Sequence, residues 1–371
     1  MEANFADRWA MLGRGEEIVP PESSIGSNTK MYYKPLSDAV DEFVHWAQHP
    51  NERIYLGFPE LDAQIRGIAA GEMCLINGYS HSGKTLFLLQ ILVANADKPV
   101  VYFCPDEPRT LTLVKLACVL NGIDANLLED GVSRSDPNAL EILKDTASKH
   151  FPKLAVFDQF MSLSDMEKAM GEVQDMWGKP ALIVFDYLEL LNGGGEDVPS
   201  KANTLKAFGK RHNVPLLVLH QSSRTAGADG KKMTISSGAY GGEQQASHII
   251  GVRRKKFEIE GQIREIEQKL DRSAASEKML ERLDQLRYEL RIHQFTLTVN
   301  LVKCKRPASS LLDDIDFEIE AGTGRLSQLP TGYFPNQFQE QHGLSTPTDE
   351  IDTALSEDVP LWDDDNWFVK P

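Results

Sequence analysis

The stretch MCLINGYSHSGKTLFLLQILVANA, residues 73–96, decides the fold. It opens with an apolar run bounded by Asn and Gly and closes with an apolar stretch of helical length. Between them lies G-x-x-x-x-G-K-T: Gly78, Tyr79, Ser80, His81, Ser82, Gly83, Lys84 and Thr85. A glycine-rich turn between a strand and a helix lets successive backbone N–H groups face an anion, and the helix N-terminus adds its positive dipole end. In this context the pattern is a phosphate-binding loop. It predicts that Lys84 reaches the β- and γ-phosphates of ATP and that Thr85 holds Mg²⁺.

On either side of this stretch, short apolar runs alternate with helical segments. PVVYFCP, KLAVFD, ALIVFDYLELL, VPLLVLHQ and HIIGVRR are near-continuous apolar strands. That pattern predicts an α/β fold with a mainly parallel sheet covered by helices on both faces. Asp186 ends a strongly apolar strand, where a carboxylate emerges beside the phosphate loop as the second Mg²⁺ ligand. Hydrolysis also needs a group to orient the attacking water. Asp106 and Glu107 follow the strand PVVYFCP at the same edge; Glu107 is the candidate and Asp106 the reserve.

Between Phe257 and Ile292 the periodicity changes. Ile259, Ile263, Ile266 and Leu270, then Met279, Leu283, Leu286 and Leu290, recur at 4, 3, 4 spacing around DRSAAS. This predicts an inserted antiparallel coiled-coil hairpin at 257–292. The expected organisation is a flexible leader at 1–30, a linker helix at 31–50, a core at 51–329 and an acidic disordered tail at 330–371. Within the linker, Val40, Phe43, Val44 and Ala47 give Leu36–His49 an amphipathic pattern.

Of 371 residues, 41% are hydrophobic and 25% charged, which excludes a chain disordered throughout. No apolar run approaches the roughly 18 residues of a membrane helix, and the start lacks a secretory pattern. The four cysteines, Cys74, Cys104, Cys118 and Cys304, form no CxxC pair. Together these features predict a soluble chain of a reducing cytoplasm, with no membrane partner. The net charge is −16, of which residues 349–371 supply −7. Any contact with nucleic acid must therefore be local.

The ordered segments GFPELDAQIRGIAAGEMCLINGYSHSGKT, VYFCPDEPRTLTLVKLA, IVFDYLELL, LKAFGKRHNVPLLVLHQSSR, SSGAYGGEQQASHIIGVRR and LVKCKRPASSLLDDIDFEIEAGTGRL resemble the RecA-like core of DnaB-type replicative helicases. The likeness runs from about Tyr55 to Leu326, and several motifs are shared with RadA-, KaiC- and RecA-type proteins. It implies that Glu107 polarises water and that Gln221 senses the γ-phosphate. It also implies that the KCKRP segment reaches the nucleotide of the next subunit as a finger in trans. The family spacing is Lys-x-Arg, whereas this chain has Lys303, Lys305 and Arg306. Lys305 is the aligned residue and Arg306 has the better chemistry; Arg306 is slightly preferred.

A shared site implies a homo-oligomer, a hexameric ring in this family, with single-stranded DNA in its channel and movement 5′→3′. The loop QSSRTAGADGKKMTISSGAYGG would line that channel, its small residues and Arg224, Lys231 and Lys232 contacting phosphates. The likeness lacks the large N-terminal domain of bacterial replicative helicases, as in phage replication proteins acting in the host cytoplasm. Primase or loader contacts would then use the hairpin or the acidic tail. A RecA/RadA-like recombination ATPase and a KaiC-like regulatory ATPase are the alternatives. DYLEL and HQSSR favour the helicase over the former, and the basic channel loop favours it over the latter.

Overall fold

The computed structural model describes residues 36–193, 195, 197–222, 232, 234, 242–270, 276–306 and 314–330. The chain divides into two units, residues 1–48 and 49–371. In the first, α1 (Asp38–Gln48) forms where the amphipathic pattern places a helix. Val40, Phe43 and Val44 are exposed on it, and the Phe43 and Trp46 rings lie 5.8 Å apart. The expected leader and acidic tail lie outside the described residues.

The second unit is built on nine strands. They are β1 (Met73–Gly78), β2 (Val100–Phe103), β3 (Leu154–Phe157), β4 (Leu182–Phe185), β5 (Leu216–Gln221), β6 (His248–Arg254), β7 (Thr296–Cys304), β8 (Ile315–Ile319) and β9 (Leu326–Gln328). They form one sheet in the order β3-β2-β4-β5-β1-β6-β7-β8-β9. The first six are parallel, and the last three continue the sheet antiparallel. Every residue of β1, β2 and β4 is buried, as near-continuous apolar strands require when helices cover both faces.

Period-two alternation sorts the strand residues between two cores. Cys74, Ile76, Tyr102, Val184, Leu217 and Leu219 face α3 (Lys84–Ala94) and α4 (Arg109–Asn121), meeting Phe87, Leu88, Ile91 and Leu116. Met73, Leu75, Val101, Phe103, Ile183 and Val218 face α7 (Leu163–Trp177) and α8 (Val198–His212), meeting Met166, Met170, Leu205 and Phe208. The remaining helices of the core are α2 (Pro59–Ile65), α5 (Ala125–Ser133) and α6 (Pro137–Asp145). Side-chain caps start α5, α6, α7 and α8, from Asp124, Asp136, Ser162 and Asp197. Each accepts a hydrogen bond from a first-turn N–H that has no intrahelical partner.

The periodic segment between β6 and β7 forms α9 (Lys255–Leu270) and α10 (Glu277–Ile292). Ile259, Ile263, Leu283 and Leu286 are buried between them, with Ile266, Leu270 and Leu290 packed alongside. Residues 271–275 of the expected turn are outside the described set. Because β6 runs parallel to β1, the insertion leaves the sheet at the edge where the phosphate loop begins. Among the described residues no single helix is long and apolar enough to cross a membrane.

Candidate nucleotide site at the C-terminal edge of the sheet

At the end of β1 the chain turns through Tyr79–Gly83 into α3. A Cβ on Gly78 would lie 2.4 Å from Ser82 Oγ and 2.5 Å from the Val252 carbonyl oxygen. Gly83 has φ 95°, and a Cβ there would lie 2.5 Å from Leu297 Cδ1. These two positions let the loop close on itself and rest against β6 and β7, which only glycine permits. Lys84 Nζ donates to the carbonyls of Gly78 and Tyr79 at 2.9 and 3.0 Å. Burial pulls its pKa down to about 8, against the attraction of Asp186 and Glu189. Thr85 is in the first turn of α3 and half-buried.

Asp186 follows β4, one strand beyond β5 from the loop. Its Oδ2 accepts from Tyr102 Oη at 3.1 Å. Burial raises its pKa to about 6, against the Tyr102 hydroxyl and the charge of Lys84, with Glu107 and Asp106 adding to the rise. Lys84, Glu107 and Asp106 thus all act on Asp186 through space. Glu107 itself is ion-paired with Lys115 of α4 at 2.5 Å. Gln221 ends β5 in register with Gly78, and the next residue, Ser222, donates its N–H to the Gly78 carbonyl at 3.1 Å. A half-buried carboxylate, a threonine in the first helical turn and a desolvated lysine form a donor set that fits a Mg²⁺–triphosphate.

The basic segment after β7 divides sharply. Arg306 Nε donates to the Ile65 carbonyl at 2.7 Å. Its Nη2 meets the Gly67 carbonyl at 3.1 Å and Glu72 Oε2 at 2.7 Å. His248 Nε2 lies 3.3 Å from the same Glu72 oxygen. Burial works against the charge of Glu72, but His248, the Ala69 N–H and Arg306 hold its pKa below the usual carboxylate value. Arg306 therefore ties the end of α2 to its own chain. Lys305 is exposed, and its backbone N–H donates to Ser247 O at 3.1 Å. Lys303 Nζ donates to the carbonyls of Glu243 and Gln244 at 3.1 and 3.3 Å.

Of the expected DNA-contacting cations, Arg224 and Lys231 lie outside the described residues. Lys232 is half exposed and ion-paired with Asp314 at 2.9 Å. Asp314 is also bound by Arg253.

Sequence reasoning missed a charged group beneath the site. His220 is fully buried, its Nδ1 2.8 Å from Glu189 Oε1 and its Nε2 3.6 Å from Glu243 Oε1. Burial opposes the imidazolium, yet the two carboxylates raise its pKa to about 9. Asn77, its register partner on β1, is also fully buried. The available signal was a histidine inside the apolar run LLVLHQ, since a buried polar side chain demands partners. Lys115 carried no comparable signal.

The family model for the DnaB-like helicase C terminal domain matches residues 54–279. The replicative DNA helicase DnaB of Synechocystis sp. is 25% identical over 189 residues, covering 48% of this chain and 22% of that protein. A probable replicative DNA helicase of Guillardia theta is 26% identical over 213 residues, covering 53% and 35%. The DnaB of Pasteurella multocida is 23% identical over 193 residues, covering 49% and 41%. The chain thus spans less than half the length of these relatives. Among solved structures, an isolated ATPase domain superposes with a TM-score of 0.59 at 16% identity, covering 80% of this chain and 100% of that one. A DnaB-like replicative helicase, solved in a study of its interactions with primase, gives 0.57 at 17% identity, covering 88% and 71%. The fold is of the RecA type, and by its match over more than half its length the chain belongs to the DnaB-like helicase C-terminal domain family.

Proposed function

We propose that this chain is the ATP-hydrolysing motor of a ring-forming replicative DNA helicase that translocates on single-stranded DNA. The observation that carries the reading is the division of chemistry between the two edges of the sheet. Lys84, Thr85, Asp186, Glu107 and Gln221 lie at the C-terminal edge of the parallel strands, while at the opposite edge Arg306 is held within its own fold and Lys305 stands exposed at the end of β7. Such a chain grips and primes a triphosphate but offers its finger to a neighbour.

In this reading Lys84 exchanges the Gly78 and Tyr79 carbonyls for phosphate oxygens. Glu107 leaves Lys115 to orient and polarise the attacking water, and Gln221 reports the γ-phosphate. Thr85 and Asp186 would hold Mg²⁺, which would supply positive charge to offset that of the phosphates. Lys305 of each protomer supplies positive charge to the next nucleotide, a contribution fitting a hexameric ring. Arg224, Lys231 and Lys232 contact backbone phosphates, so repetition around the ring concentrates positive charge that the net −16 conceals. Primase or a loader would engage the hairpin or the acidic tail. The phage-type setting in a host cytoplasm rests on the resemblance alone.

The test is forked-DNA unwinding with ATP, run beside strand exchange, with assembly followed by light scattering. Unwinding by a multimer supports the reading. Strand exchange without unwinding, or a chain that stays single-copy with nucleotide and oligonucleotide, overturns it.

A further inference from the structure

The charged group under β5 has no part in the roles assigned so far. Glu189 Oε1 accepts the Gln221 backbone N–H at 3.0 Å and also faces His220 Nδ1. Gln221 is thus anchored by the carboxylate that holds His220. On its other side His220 faces Glu243, in the 3-10 turn Gly242–Gln245. That turn is bound to β7 by Lys303 Nζ at two carbonyls. Two residues further on, Ser247 O receives the Lys305 N–H. From the sensor position to the finger position the chain of contacts is continuous.

Two features show that the path is built rather than incidental. First, the β6–β7 ladder pairs Ile250 with Leu301 but Ile249 with Lys303, leaving Val302 as an extra residue. This bulge reverses which side chains face which layer. It turns Lys303 away from the face of Leu301 and toward the Glu243 turn. Second, α8 braces both ends, Lys201 Nζ binding Glu189 O at 2.6 Å and Lys206 Nζ binding Gln245 O at 2.8 Å. A buried imidazolium between two carboxylates is also costly to leave half-paired, so displacement of one carboxylate is felt by the other. Glu189 in addition acts on Lys84 through space.

We propose that Glu189, His220 and Glu243 are positioning residues that transmit γ-phosphate contact at Gln221 to the β7 segment carrying Lys303 and Lys305, so that a protomer presents its finger to its neighbour only when its own site is filled. The inference rests on the shared-site reading above. It makes hydrolysis in one protomer depend on nucleotide in the next, a coupling of the fivefold or greater size common between linked sites.

The test dopes wild-type protein with Lys84→Ala protomers and measures ATP turnover against the wild-type fraction. Those protomers keep Lys305 but hold no nucleotide, so turnover in wild type falls more steeply than that fraction. In a His220→Gln background, with matching His220→Gln/Lys84→Ala protomers as dopant, turnover falls in proportion to the intact fraction, and the KM for ATP is unchanged. Glu243→Gln, which keeps the side-chain volume, straightens the curve in the same way. A merely structural role lowers thermal stability and total rate in these variants but leaves the curvature in place. Identical curves in wild-type and variant backgrounds overturn the relay while leaving the shared site intact. A chain that neither assembles nor turns over ATP overturns the reading beneath it. Hydrogen exchange on the wild-type chain serves should both variants misfold. A non-hydrolysable ATP analogue slows exchange at Gln221 and at Ala246, whose N–H bonds to Glu243 O; slowing at Gln221 alone overturns the relay.

Discussion

Replacing Lys305 and Arg306 one at a time separates catalysis from folding at adjacent positions. Arg306→Ala removes three hydrogen bonds, one of them to the Glu72 carboxylate. The two side chains of that pair are 15% and 23% exposed. Breaking a fully buried pair costs about 3–5 kcal/mol. Partial exposure and the remaining contacts of Glu72 with His248 and the Ala69 N–H reduce that to about 2–3 kcal/mol, a fall in Tm of about 3–5 °C for a unit of this size. Lys305→Ala removes only an exposed side chain and changes stability by less than about 0.5 kcal/mol. Its turnover nevertheless falls about a thousandfold, because transition-state charge loses its partner across the interface. Differential scanning fluorimetry and steady-state ATPase rates on the same samples read both quantities. Lys305→Ala protomers mixed with Glu107→Gln protomers, which bind nucleotide and keep a finger, regain part of the lost turnover. Full turnover in Lys305→Ala, with a dead but fully stable Arg306→Ala, refutes the assignment.

Lys84→Ala abolishes ATP turnover without lowering Tm. The pKa drop from 10.5 to about 8 means the charged ammonium costs the fold up to about 3 kcal/mol, offsetting its two carbonyl bonds; a Tm loss beyond a few degrees contradicts this. His220 imposes a pH dependence of stability. Its folded pKa of about 9 lies above the 6.5 of free imidazole, so its contribution of about 3 kcal/mol is complete below pH 6.5 and is lost as pH rises through 9. Urea midpoints between pH 6 and 9.5 show that decline in wild type, and His220→Gln flattens it; equal slopes reject the pair. Gly83→Ala costs about 1–3 kcal/mol by overpacking against Leu297 and abolishes nucleotide binding. Adding Leu297→Val relieves the clash but not the positive φ, so calorimetry shows stability recovering more than binding.

The parts of this protein legible in its sequence are those where one residue type has one physical solution. Gly83 needs φ 95°, and the apolar runs of β1, β4 and β5 have nowhere to sit but inside a parallel sheet. Asp186 at a strand end beside the phosphate loop follows from the same topology. The finger is harder to read from sequence because Lys303, Lys305 and Arg306 are three cations within four residues. Sequence chemistry ranks Arg306 first, yet the carbonyls that claim it belong to Ile65 and Gly67, some 240 positions away. The Glu189–His220–Glu243 group is hidden for the same reason: a histidine within the apolar run LLVLHQ signals buried partners, but only the sheet order says which carboxylates they are. Lys115 on Glu107 likewise depends on where α4 lies after its Pro108 start.

The same contrast between local and distant constraints explains why a long helical insertion can stand beside the nucleotide site without disordering it. Arg254 and Leu297 are ladder partners at the foot of the hairpin, so the ends of the insertion are already held together by the sheet. Closing the loop therefore costs the fold little beyond the ordering of α9 and α10, which their own apolar seam offsets. Arg254 Nη2 bonds Gln294 O at 2.7 Å and Lys255 pairs with Asp316 at 3.3 Å, bracing both feet. Leu297, at the first step of the returning strand, is also the side chain that requires glycine at position 83. The residue that closes the insertion thus also helps to shape the phosphate loop.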